Sequence, residues 1–451
     1  MDSDNLSDKF VVSPPLSEDK IKKMRTKIVL YNSLKLIVAS LFVGLASALL
    51  ADSLKHLTET YQHKIFQKTG QISPFLYIIL PSIGITIIYF LRKYAFKKRQ
   101  NKGIKEIYTT LETRKDHLPL FKIPSHYFNG FLTVIFGGST GIEVSTVVAT
   151  ATVGNAIHKK SKVAFAYKNE LICAGVAAGV ATLFGSPVAG WLFAMEVIAR
   201  KVSRSILISC TSSVLIASLF IYLIDNKRLL PYTVETWNWA ALPYIIGVGI
   251  LGAILALYFT KIVIHAKKLF GGIRNNFLRV NLGAVTVGIL IFFLPYLYGD
   301  SYHGLHEIIK MGTQQSFTIP FGITVLLLVI LKPLAASLTL GAGGDGGVFA
   351  PSIVAGAFLG VLVAQLCNTY LGTELIVLNF ALFGAAATLS AAIHAPLTAL
   401  FLICSIVPGG YLLFIPMAVT SFTAKYLAKW CYPFNVYTYK ETKLAGTALN
   451  K

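Results

Sequence analysis

The sequence predicts an all-α, polytopic membrane protein. Three observations predict it. First, 55% of the 451 residues are hydrophobic and only 14% are charged, whereas a soluble domain carries roughly 25% charged residues. That is too few charges to clothe a water-solvated surface. Second, the apolar residues gather into runs at about 28–51, 75–91, 128–157, 171–197, 205–224, 238–263, 282–298, 319–340, 347–367, 375–406 and 410–430, many long enough to cross the ~30 Å hydrocarbon layer as a tilted helix. Third, these runs are continuous. An outer-membrane barrel would instead show strands of about ten alternating residues.

In chain order, residues 1–27 form a polar tail with five basic residues between Lys20 and Lys27. It lacks the apolar core and small-residue cleavage site of a signal peptide, and reads as a cytoplasmic tail ending in a short interfacial helix. The membrane region is expected over 28–440, in two halves at about 28–224 and 238–440, with a short tail at 441–451. Some apolar runs suit one helix. Others are broken by Gly or Pro and predict two short helices. After the second run comes the densest basic cluster, Arg92, Lys93, Lys97, Lys98, Arg99, Lys102 and Lys105. The positive-inside bias places it in the cytoplasm, and two crossings put it on the same side as the basic tail. The net charge of +21 is thus first a topology signal and second a field that draws anions. A cluster lying between spans argues against nucleic-acid binding. The five cysteines sit in apolar stretches without a CxxC pair and read as buried small hydrophobes; no metal or cofactor follows.

Two blocks repeat. Residues 137–154, GGSTGIEVSTVVATATVG, match 343–360, GGDGGVFAPSIVAGAFLG, at an offset of 206. Residues 174–193 match 383–402 at 209, pairing Gly175 with Gly384 and Pro187 with Pro396. Two blocks in one order at nearly one offset indicate a duplication. Each first block is a Gly-rich turn leading into an apolar helix. The first N–H groups of a helix have no internal partner, and the dipole is positive there. Two broken helices aimed at one point would build an anion site from backbone alone.

Glu143 lies in the first block. A carboxylate at membrane depth costs roughly 2.5–3.5 kcal/mol on insertion scales and so marks a functional site. One that competes with an anion for the same amides is a gate. A transporter of cations or organic solutes is the rival reading, but cation sites need clustered carboxylates, and Glu143 is nearly isolated. No HExxH, GxSxG or paired aspartates appear, so an enzyme is not expected.

At these residues the sequence resembles the CLC family of chloride channels and anion/proton antiporters, in a form without C-terminal CBS modules. GGSTGIEVSTV at 137–147 resembles the G-[KR]-E-G-P region, GGVFAP at 346–351 the G-x-F-x-P motif, HAPLTALFLI at 394–403 the R-A-P-L-T segment, KGIKEI at 102–107 a degraded G-S-G-I-P-E-I, and NVYTYK at 435–440 the pore-tyrosine segment. The resemblance spans about 30–442. It implies two inverted repeats of tilted and broken helices, a homodimer with one pore per subunit in the cell membrane, and Glu143 as the gate. It assigns anion binding to Gly141, Ile142, Val348, Phe349, Ala350 and Tyr437, the last through its hydroxyl.

The departures carry information too. The family's central serine falls at Lys102, which is expected in the cytoplasmic vestibule. The arginine before the gate is Ile142. Val144 replaces a glycine and is expected to restrict the swing of Glu143. The inner proton position falls on Val197, which leans towards a channel, although some family antiporters also lack the acid. Glu196 is expected to be structural, paired with Arg200 at i+4, and Asp345 to be an N-cap or turn residue. The intact GGVFAP favours chloride over fluoride; a fluoride exporter and a non-conducting relative are the alternatives.

Overall fold

The computed structural model of the chain describes residues 18–96, 101–113, 117–160, 167–199, 201–225 and 228–439. The expectations placed on Lys97, Lys98, Arg99, Arg200, residues 1–17 and the C-terminal tail lie outside the described residues. Among the described residues there are sixteen α-helices and a single isolated bridge in place of any strand. The first half holds α1 Glu18–Ile72, α2 Leu76–Phe90, α3 Ile104–Glu112, α4 Lys122–Ile135, α5 Glu143–Lys160, α6 Lys168–Phe184, α7 Pro187–Phe193 and α8 Arg204–Ile224. The second holds α9 Leu242–Gly271, α10 Asn276–Phe293, α11 Tyr302–Gln314, α12 Ile319–Ala342, α13 Phe349–Tyr370, α14 Val377–Ile393, α15 Pro396–Ser405 and α16 Phe414–Cys431. Among the described residues, eight helical segments are long and apolar enough to cross a membrane.

The interrupted runs break where the sequence carries turn residues. Run 128–157 becomes α4 and α5, parted at Gly137–Ile142; 171–197 becomes α6 and α7, parted at Gly185–Ser186; 375–406 becomes α14 and α15, parted at His394–Ala395. The first expectation to fail is the N-terminal one. α1 is one 55-residue helix, about 80 Å long at 1.5 Å per residue, rather than a short interfacial helix followed by a span. No proline interrupts residues 18–72, so the helix runs on beyond its apolar stretch at both ends. Two helices, α3 and α11, escaped the apolar-run reading because each buries only one face. Cys431 is exposed and Cys367 half-buried, unlike Cys173, Cys210 and Cys404.

The helices sort into two environments. α5, α6, α13 and α14 are buried on nearly all sides, which suits their lack of a polar stripe. Around them, α1, α2, α8, α9, α10 and α12 turn apolar residues such as Leu49, Ile79, Leu215, Ile254, Phe293 and Leu326 outward, as helices facing lipid must. Glycine permits the tightest central contacts. A side chain at Gly154 would strike the backbone of Leu171, and one at Gly360 the backbone of Phe380. These pairs are equivalent under the offsets of 206 and 209. α6 and α14 also end alike, in left-handed residues Gly185 (φ 61°) and His394 (φ 59°).

Candidate functional site

The two Gly-rich turns meet at the centre and clasp each other. The N–H of Asp345 donates to Oγ1 of Thr133 at 2.9 Å, and the N–H of Ser139 donates to Oγ1 of Thr339 at 3.1 Å. Thr133 and Thr339, like Ser139 and Asp345, are 206 positions apart. Gly141 pairs with Gly347, also 206 apart, in the antiparallel bridge. Equivalent residues facing each other antiparallel require a local twofold axis across the chain, so the two halves are inverted with respect to each other. The helices leave the clasp equivalently: Thr146 N donates to Ile142 O at 2.8 Å, and Ser352 N to Val348 O at 3.0 Å. The first N–H groups of α5 and α13 therefore lack helical partners at one buried point.

Glu143 sits there, 4% exposed. Its carboxylate lies close to the backbone N–H groups of Glu143 itself and of Ala350, so one acid stands near both helix starts, with its Oε2 buried and unpartnered among the described residues. It folds over Gly141, where any side chain would collide with it. Oε1 stands 3.5 Å from the hydroxyl of Tyr302, the first residue of α11. Tyr302 also lines a cavity of about 530 Å³ bordered by Lys55, Glu59, Arg228, Asp300 and His303.

The remaining expected residues gather around the same point. Gly141, Ile142, Val348, Phe349, Ala350 and Tyr437 are all buried, and the Phe349 ring packs against Phe184 and Phe193 at 5.4 and 5.8 Å. Tyr437 is aimed inward by a turn in which Asn435 Oδ1 accepts from Tyr437 N at 2.9 Å, while Asn435 Nδ2 donates to Ile393 O. The Tyr437 hydroxyl is buried without a partner among the described residues. Tyr108 donates to the carbonyl of Val197 at 2.8 Å, so the inner position carries a phenol contact and no acid. Lys102 turns an exposed side chain away, while the neighbouring Gly103 (φ 63°) brings the backbone against Val144. Val144 in turn fills the space that a side chain at Gly347 would need.

Asp345 lies in the turn between α12 and α13, the second of its two expected readings, while Val348 holds the N-cap position of α13; Asp345 is buried against His126, Asn101 and Arg92. The expected pairing of Glu196 with Arg200 lies outside the described residues, and the contacts that Glu196 makes among the described ones are to α15. Glu196 Oε2 accepts both the N–H and the hydroxyl of Thr398 at 2.7 Å, capping the start of α15. Sequence reasoning missed Lys332. It is fully buried in α12, and its ammonium donates to Ser139 Oγ, Gly299 O and Ser301 Oγ at 2.8, 3.0 and 2.7 Å. The signal was available, since Lys332 is the lone charge in the run 319–340 and such residues are functional candidates by default.

The family model described as "Voltage gated chloride channel" matches residues 83–429, which contain both clasped turns and Glu143. This chain belongs to the CLC family. A curated relative, the "Putative chloride channel protein ClcB-like" of Ralstonia nicotianae (strain ATCC BAA-1114 / GMI1000), is 24% identical over 337 residues, covering 72% of this chain and 76% of the relative. Among solved structures, a slow cyanobacterial Cl−/H+ antiporter superposes with a TM-score of 0.76 at 22% identity, covering 91% of this chain and 98% of its own. A CLC-type fluoride/proton antiporter gives 0.72 at 22% identity, with 89% and 96% covered. At these identities the superpositions establish the CLC fold; family membership and the apolar helices long enough to cross a membrane make the chain an integral, multi-pass membrane protein. Anion transport follows from membership of the family.

Proposed function

We propose that this CLC protein carries chloride or a closely similar anion through a pore gated by Glu143. The observation that carries this reading is the meeting of two helix N-termini on one buried carboxylate. An ionised carboxylate and a dehydrated anion seek the same N–H donors. With Glu143 in place, its carboxylate stands in front of the outer donors; when it is protonated or displaced, they are offered to the anion. Ile142 and Glu143 would serve the outer position. Val348, Phe349 and Ala350, with the unpartnered Tyr437 hydroxyl, would serve the central one. Gly141 gives the carboxylate room to fold in. Lys102 would stand in the cytoplasmic vestibule, and the family implies a homodimer with one pore per subunit.

Two modes of transport fit this pore. Val197 offers no proton carrier at the inner position, which supports passive conduction. Two structural neighbours, a Cl−/H+ antiporter and a fluoride/proton antiporter, support exchange with protons. Following anion efflux and internal pH together in proteoliposomes separates them, because protons driven against their own gradient by chloride identify exchange. The same vesicles loaded with fluoride settle the anion. Glu143→Gln is expected to abolish the pH dependence of flux at the gate; unchanged flux and unchanged pH dependence would remove Glu143 from that role.

A further inference from the structure

His126, on the inner face of α4, stands between two acids. Its side chain is fully buried, with Nδ1 3.2 Å from Oδ2 of Asp345 and Nε2 4.0 Å from Oε2 of Glu106. Among the described residues neither ring nitrogen has another hydrogen-bond partner, nor has Oε2 of Glu106. The two acids belong to the two segments that frame the inner end of the pathway. Glu106 lies on α3 and accepts the N–H of Lys102 at 2.5 Å; Asp345 lies in the turn that leads to Gly347 and Val348. Asn101 joins the segments, its Nδ2 donating to Asp345 at 2.6 Å and its Oδ1 accepting from Lys122 Nζ at 3.0 Å. Lys122 also pairs with Oε1 of Glu106 at 2.8 Å, and Arg92 lies 3.7 Å from Asp345 while donating to Gly343 O at 2.8 Å. Among the described residues, the charged groups about the ring are Glu106, Asp345, Lys122 and Arg92.

A neutral imidazole has one N–H and one lone pair. Between two carboxylates, its lone pair would confront an acceptor on one side. An imidazolium presents a donor to each acid and offsets buried negative charge on both. Each of the two acids already holds a permanent cation on another face, so His126 is the member of the cluster whose charge is adjustable near neutral pH. The cluster lies at the Arg92 end of α2. The opposite end, at Tyr77, packs on Tyr298 of the 530 Å³ cavity, about 22 Å away at 1.5 Å per residue. The basic residues mark the Arg92 end as cytoplasmic.

We propose that protonated His126 is a positioning residue that clamps segment 101–106 to segment 343–348, so that the inner anion position is assembled only while the ring carries its proton. The proposal rests on the anion-path reading. Loss of that proton towards the cytoplasm sets Glu106 and Asp345 against a ring that can satisfy only one of them, and the two segments part. The clamp is tested on the full chain in proteoliposomes with equal pH on both faces, in a Glu143→Gln background that removes the gate's own titration. Chloride flux is expected to fall about tenfold, or about 1.4 kcal/mol, between about pH 6 and about pH 9, a window bracketing histidine titration. His126→Lys is expected to hold the acidic flux across the whole range, and His126→Gln to be slow throughout. Unfolding temperatures in detergent form a second arm, since the clamp requires a larger alkaline loss of stability in the wild type than in His126→Lys. A pH response that survives in His126→Lys, or wild-type flux in His126→Gln, overturns the clamp. Absence of anion flux in every protein would overturn the pore reading instead, and the thermal arm would still decide the clamp.

Discussion

The hydroxyl of Tyr302 lies 3.5 Å from Oε1 of Glu143, placing a phenol between the carboxylate proposed as the gate and the cavity that Tyr302 lines. α11 begins at this residue, and Asp300 Oδ1 accepts the Tyr302 N–H at 3.1 Å, so its backbone is held as well. The contact is long and favours the carboxylate in its seated position. Tyr302→Phe is therefore expected to free Glu143 slightly and raise chloride flux about two- to fivefold, the lower part of the range for a hydrogen bond of about 0.5–1.5 kcal/mol. Efflux at fixed pH measures it; slower flux in the variant would mean that the phenol assists opening.

Val144 and Gly347 make a second test. A methyl at 347 would meet the Val144 side chain, and overpacking of this kind costs about 1–3 kcal/mol. Gly347→Ala alone is expected to lower the unfolding temperature and the flux. Adding Val144→Ala should recover most of both, because the two sites share one space and their effects do not add. A double variant no better than Gly347→Ala would show that the glycine serves the backbone bridge to Gly141 and not the fit to Val144.

Glu196 offers a control for proton transfer. It stands one residue before the inner position, yet both of its oxygens receive donors from α15, Leu397 N–H included. Glu196→Ala should cost about 1–3 kcal/mol of stability through unpaired donors while leaving the ratio of proton to anion movement unchanged. Calorimetry together with paired pH and anion traces would reveal it. A changed ratio would make Glu196 a proton carrier after all.

Much of the architecture is legible in the linear chain because the bilayer imposes long apolar runs, and because a duplication leaves two blocks that align with each other. Glu143 stands out for the same reason, as a charge where charges are costly. Its neighbours do not. Thr133 and Thr339 look like ordinary helix threonines, and only contacts across 212 and 200 positions reveal them as reciprocal clasps. His126 and Tyr302 lie in short helices whose polarity suggests an ordinary surface. Lys332 was visible but hidden by the strength of the apolar run around it.

The sequence by itself determined that the chain lives in a membrane, that it is built twice, and that an acid sits where the first copy begins its central helix. Those properties follow from composition and local order, which hydrophobic transfer and glycine geometry read directly. Only the tertiary structure decided that the two copies meet inverted, with Gly141 facing Gly347 and one carboxylate facing the donors of both helices. The central helices are apolar on every side, so no periodic stripe says which face turns inward. That choice belongs to packing, and packing is settled between residues about two hundred positions apart.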